Sequence, residues 1–145
     1  MNAARDTIVE EITIQAPAER VFDAFTSERT AWWNVEGRFH TTHVDSDLRA
    51  GGAWTMRGTR GDGSPFTIKG TYRVVERPRL LVFTWLPDWQ PDATESEVRV
   101  EFTSERGATH VRLTHSGLST DASRESHRGW PQLLTLFKAH VERPR

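Results

Sequence analysis

The chain has 145 residues, six tryptophans and no cysteine, with 27% charged and 36% hydrophobic residues and a net charge of −1. That length is one domain, residues 1–145, with enough apolar content to bury its own core. The missing cysteines exclude disulfides, thiolate nucleophiles and Cys-based zinc or iron–sulfur sites, and the balanced, interspersed charge argues against nucleic acid as a partner. The longest apolar stretch, Leu80–Leu86, is strand-sized, so no membrane partner is expected. The first residues, MNAARDTIVEE, lack the apolar core of a secretory signal, and a cytoplasmic protein is the simplest expectation.

Residues Thr7–Gln15 alternate, with Ile8, Glu10, Ile12 and Ile14 on one face, as in a half-buried strand. Pro17 suits the first turn of a helix, where its missing N–H costs nothing. Val21, Phe22 and Phe25 then form a one-sided stripe opposite Glu19, Arg20 and Asp23. Thr26 or Ser27 ends this helix, and Glu28–Trp33 reads as another turn or two. Six strands follow: Phe39–Asp45, Ala53–Thr59, Phe66–Glu76, Leu80–Leu86, Ser96–Ser104 and Thr109–Ser116. Gly51-Gly52, the hairpin signal Gly61-Asp62-Gly63-Ser64, Arg77-Pro78 and Gly107 punctuate them, and Pro87–Thr94 reads as a loop. The strands alternate wet and dry, the pattern of an antiparallel sheet with one face to cover. The cover is a helix over Asp121–Glu142, capped by Ser119 or Thr120, whose stripe includes Trp130, Leu133, Leu134, Phe137 and Val141. Pro131 would clash with the carbonyl of His127 inside a continuous helix, so a kink or restart is expected near Gly129–Pro131.

Metal chemistry finds no support. His40 and His43 are three apart on a strand, and His110 and His115 five apart, so strand parity puts each pair on opposite faces. A site would have to join separate elements, such as His43 with His115. His115 shares the dry face of the last strand with Val111 and Leu113. It reads either as a core-edge histidine or as a polar anchor or proton donor in an apolar pocket. His127 is expected at the solvent or the pocket mouth. Glu10 reads as a carboxylate near the start of its strand, paired or partly wet. Arg57 and Lys69 read either as residues reaching into a cavity or as members of solvated strand faces. No Gly-x-Ser-x-Gly elbow and no nucleotide loop occurs.

Several strings resemble those of a known group. Ala16-Pro17-Ala18-Glu19-Arg20-Val21-Phe22 followed by Trp32-Trp33 is similar to the opening of the START-like, or SRPBCC, superfamily. Asp47-Leu48-Arg49-Ala50-Gly51-Gly52-Ala53-Trp54, Arg79-Leu80-Leu81-Val82-Phe83-Thr84-Trp85, the stretch from Gly107 to Gly117, and Gly129-Trp130 follow in the order of its members. Within it the chain resembles the subfamily named for the activator of heat-shock-protein ATPase (Aha-type), as a single-domain member of bacterial type. The resemblance implies an α+β, helix-grip (Bet v-type) fold: a curved seven-stranded antiparallel sheet around a long C-terminal helix, with two short helices after the first strand. It also implies a cavity between sheet and helices, commonly for a hydrophobic small molecule. The chaperone-activating members have an additional N-terminal domain, for which this length leaves no room.

On that frame the aromatic residues are the site candidates: Trp33, Phe39, Trp54, Tyr72, Trp85, His115 and Trp130. The leading expectation is non-enzymatic binding of a small hydrophobic or aromatic molecule, with no cofactor and no metal. The first alternative is a polyketide cyclase or aromatase-like enzyme using His115 or Tyr72. The second is a stress-related interaction module with a chaperone or other protein as partner. The chain is expected to act as a monomer or homodimer.

Overall fold

A computed structural model describes residues 7–88, 95–118, 120, 127 and 129–143. Eight strands form one sheet: β1 (Ile8–Ile14), β2 (Asn34–Val35), β3 (Phe39–Ser46), β4 (Ala53–Arg60), β5 (Pro65–Glu76), β6 (Leu80–Pro87), β7 (Ser96–Glu105) and β8 (Ala108–Ser116). Helices α1 (Ala18–Ser27) and α2 (Arg29–Trp32) follow β1, and α3 (Trp130–Glu142) closes the chain. The sheet order is β1-β8-β7-β6-β5-β4-β3-β2 with every pair antiparallel, so consecutive strands are neighbours except that β1 returns beside β8. The curled sheet and its helices make the helix-grip architecture expected from the sequence. The added strand is β2, whose two residues pair with Phe39 and His40 and are too short to show a period.

Alternation places the core. In β7, Val98, Val100 and Phe102 point inward, and in β8 Val111, Leu113 and His115 do. Helix α1 lays Val21, Phe22 and Phe25 on this face, while α3 adds Leu134, Phe137 and Val141. Phe25 sits edge-on to Phe137 at 5.5 Å and to Phe102 at 6.2 Å, tying both helices to the sheet. Polar links fasten the ends. Glu142 accepts the Gln15 N–H at 2.7 Å, Lys138 donates to the Thr13 carbonyl at 2.8 Å, and Glu28 joins Arg20 to His140 across α1 and α3.

Two bulges change which residues share a face, and the first corrects the parity argument for His40 and His43. In β3, Thr41 pairs with Gly58 and His43 with Arg57, so Thr42 is an extra residue. His40 and His43 therefore share the outer, exposed face, contrary to expectation, and His43 lies 3.5 Å from Asp45. Even so, no group of three metal-ligating side chains occurs among the described residues, and His43 and His115 are on opposite sides of the sheet. In β5, Arg73 is the extra residue between Tyr72 and Val74. Val74 thereby leaves the Phe66–Ile68–Tyr72 face, and Val75 packs against the core in its place.

Two glycines let aromatic rings lie flat on the sheet. A Cβ on Gly58 would sit 2.7 Å from the ring of its cross-strand partner Phe66, and one on Gly70 would sit 2.7 Å from the indole nitrogen of its partner Trp54. The same atoms would approach the His40 and Thr84 carbonyls to 2.1 and 2.0 Å. Gly70 permits a close approach in mid-strand. At the other end of the fold, α3 begins at Trp130 with Pro131 in its first turn, a position without penalty. Of the expected continuation back to Asp121, His127 and Gly129 are turn residues and not helix, so the helix starts at Trp130. Residues 121–126, 128 and the Ser119 cap lie outside the described residues, and Thr120 is an exposed bend.

Candidate functional site

A cavity of about 320 Å³ opens between the curled edge of the sheet and the start of α3. Its body is apolar: Trp33 from the end of α2, Phe66 and Ile68 from β5, Trp85 from β6, and Trp130 and Leu133 from α3. Phe39 and the side chains of Arg38 and Arg60 stand at the rim, where Arg38 is exposed and Phe39 and Arg60 are half-buried. Within the wall, Trp33 stacks on Trp85 at 5.7 Å with 25° between planes, and Trp130 meets Trp33 edge-on at 5.3 Å. Each such pair contributes on the order of 1 kcal/mol beyond its buried area, so the three indoles hold one another in place before any ligand arrives. Both members of the double tryptophan are 3% exposed. Trp32 is core, against Phe137 at 4.6 Å with its N–H on the Ala24 carbonyl, whereas Trp33 faces the cavity. Trp33 is thus part of the cavity wall, and Trp32 packs behind it.

Behind Trp85 and Trp130 lies a buried polar chain. The Trp130 indole N–H donates to His115 Nδ1 at 3.1 Å. An indole can only donate, so the neutral His115 ring carries its hydrogen on Nε2 and donates to Ser96 Oγ at 2.8 Å. The Ser96 hydroxyl in turn donates to the Trp85 carbonyl at 3.3 Å. The Trp85 indole donates to His127 Nε2 at 2.8 Å, and the two imidazoles stand 4.8 Å apart, centroid to centroid. Burial first, and then the neighbouring His127, push the His115 pKa down to about 3. The Trp130 donor acts in the same direction, because a protonated ring would turn an N–H toward an N–H. His115 is thus a neutral hinge-pin that aims Trp130, and its side chain does not line the cavity.

Of the candidates read from sequence, Trp33, Phe39, Trp85 and Trp130 come together around the cavity, whereas Trp54, Tyr72 and His115 pack deeper in the core. Trp54 is in contact with Trp85 at 5.8 Å, one layer behind the wall. His127, expected at the solvent or the pocket mouth, is buried and lines the cavity. Arg57 and Lys69 are exposed on the outer face, and the cavity instead receives Arg38 and Arg60. Glu10 is half-buried in β1.

Sequence reasoning misses Arg29. It is 1% exposed, and its guanidinium lies 5.2 to 5.6 Å from the rings of Trp54, Phe25 and Phe83. Its Nε donates to the Phe25 carbonyl at 3.0 Å and one terminal nitrogen to the Tyr72 hydroxyl at 3.5 Å. The other terminal nitrogen has no partner, and among the described residues no carboxylate pairs with the charge. Burial lowers its pKa, and Tyr72 opposes that shift. Tyr72 passes the link outward to Ser46 at 2.6 Å. Its only sequence signal is a cation at the start of a four-residue helix, which ordinarily reads as a wet face.

The family model described as "Activator of Hsp90 ATPase homolog 1-like protein" matches residues 15–142. The chain belongs to this family. The activator-homologue fold is shared by solved structures over nearly the full chain. A protein from Chromobacterium violaceum superposes with a TM-score of 0.86 at 23% identity, covering 97% of this chain and 99% of that one. An AHSA1-like protein from Aeromonas hydrophila is 28% identical with a TM-score of 0.76, covering 96% and 97%. An HSP90 activator from Plasmodium falciparum is 23% identical with a TM-score of 0.70, covering 95% and 97%. The comparison with curated proteins returns no match. The START-like, Aha-type assignment made from five short strings holds. Among the described residues, no helix is long and apolar enough to cross a membrane.

Proposed function

We propose that this activator-homologue domain binds a small hydrophobic or aromatic molecule in the cavity walled by Trp33, Trp85 and Trp130, without transforming it. The observation that carries the reading is the cavity itself: about 320 Å³, lined by aromatic faces already fixed by mutual stacking. That volume lies at the small end of ligand pockets and suits a compound of two or three rings. Rigid aromatic walls lose little side-chain freedom when a ligand enters, which favours binding.

Catalysis by His115 or Tyr72 draws no support from the geometry. Neither side chain lines the cavity, His115 has both ring nitrogens engaged, and the Tyr72 hydroxyl is engaged by Arg29 and Ser46. A chaperone-partner reading draws on the family description and on the likeness to the HSP90 activator, but no surface feature among the described residues specifies it. Val9 and Leu48 are the only large hydrophobics exposed among the described residues. Titration with N-phenylnaphthylamine, a neutral aromatic dye that brightens in apolar surroundings, tests the ligand reading. Saturable one-to-one binding that is lost in L133W, where the added ring fills the cavity, supports it. Absence of binding, or equal binding by L133W, rejects it.

A further inference from the structure

We infer that the ligand is an organic anion, its apolar aromatic body in the cavity and its acidic group at the rim on Arg38 and Arg60; this rests on the ligand-binding reading above. Among the described residues, the charged groups lining the cavity are two arginines, and no carboxylate lines it with them. Backbone register fixes the two side by side. Arg60 is the cross-strand partner of Phe39, and the Gly61 N–H donates to the Arg38 carbonyl at 2.8 Å. Residue 38 ends the turn from β2, and residue 60 ends β4, so both guanidinium groups sit where the curled sheet edge meets solvent.

Their partners differ. Arg60 donates to the Pro65 carbonyl at 2.6 Å and to Ser64 Oγ at 3.3 Å, and Asp88 stands 3.7 Å away. That anchoring holds its charge at the rim. Among the described residues, the Arg38 side chain has no hydrogen-bond or ion-pair partner, so its charge is available to a ligand. The deeper polar group offers nothing comparable, since His127 Nε2 already accepts from Trp85. Among the described residues, a bound molecule therefore meets cationic donors at the mouth. An arginine pair in that position suits a carboxylate, sulfonate or phosphate group.

Two dyes of one skeleton separate this claim from the parent reading: N-phenylnaphthylamine, which is neutral, and anilinonaphthalene sulfonate, which carries one negative charge. The wild-type protein is expected to bind the sulfonate more tightly, and added salt is expected to weaken the sulfonate alone. The R38Q variant should lose about threefold in sulfonate affinity and R38Q/R60Q about tenfold, with the neutral dye held within about twofold. The R38K/R60K variant, which keeps the charge, should retain most of the sulfonate binding. Sulfonate affinity unchanged in R38Q/R60Q, or an equal loss for both dyes, would overturn the inference while leaving apolar binding intact. If neither dye binds the wild-type protein, the ligand reading itself falls, and this inference with it.

Discussion

Acidification should unfold this protein through His115. The folded ring resists protonation, with its pKa near 3 against an ordinary 6.5, whereas the unfolded chain takes up the proton at the ordinary value. The neutral ring's contribution is therefore complete above pH 6.5, falls as pH drops, and is exhausted once pH passes below the folded value. Each pH unit inside that window costs about 1.4 kcal/mol, so moving from pH 7 to pH 5 should remove about 2 kcal/mol. The depressed carboxylates do not confuse this window. Asp23, Asp62, Glu11, Glu28 and Glu142 are held below their ordinary values of 3.8 or 4.5, so their losses fall mainly in stronger acid. Urea unfolding followed by tryptophan fluorescence at pH 7, 6 and 5 measures the loss. The wild-type protein should lose about 2 kcal/mol more than H115Q, whatever the baseline stability of the variant. Parallel pH profiles for the two proteins would refute the claim that His115 is held neutral by its surroundings.

Other consequences follow from single contacts. Arg29 is a buried charge with no carboxylate partner among the described residues, so R29M should be more stable than R29K, whose ammonium is harder to dehydrate and cannot spread over three rings; thermal denaturation of the pair decides, and the reverse order contradicts the reading. A methyl group at Gly70 would meet the Thr84 carbonyl at 2.0 Å, so G70A should cost about 2 kcal/mol or more in the same urea assay. G58A should lower affinity for N-phenylnaphthylamine as well as stability, because the displaced ring, Phe66, is a wall of the cavity.

Much of this architecture is legible in the sequence, for reasons that differ by element. Strands such as β7 and β8 alternate cleanly because one face is dry, and the glycine-rich turns mark where they end. The stripe Val21, Phe22, Phe25 and the run Leu133, Leu134, Phe137, Val141 read as helices because each has a single apolar face to bury. Parity, however, assigns a face and not a depth. Trp54, Tyr72 and His115 point to the concave side as expected, yet they lie behind the cavity wall: Trp54 packs behind Trp85, Tyr72 against Phe83, and His115 beneath Trp130. Bulges are equally hidden, because the extra residues Thr42 and Arg73 are defined by the register of a partner strand. Arg29, Arg38 and Arg60 escape for a third reason: a lone arginine on a short helix, turn or strand end has the same local pattern whether it faces water, a ring or a pocket.

The central claim, a preformed aromatic cavity that takes up a small apolar molecule, predicts a specific pattern of nuclear magnetic resonance signals from the indole N–H groups. On titration with N-phenylnaphthylamine, the Trp33, Trp85 and Trp130 signals should shift most, because those rings touch the cavity, while those of Trp32 and Trp54, which sit in the packed core behind them, should move least. Unmoved signals from Trp33, Trp85 and Trp130 at saturating dye, or shifts as large at Trp32 and Trp54, would contradict the account.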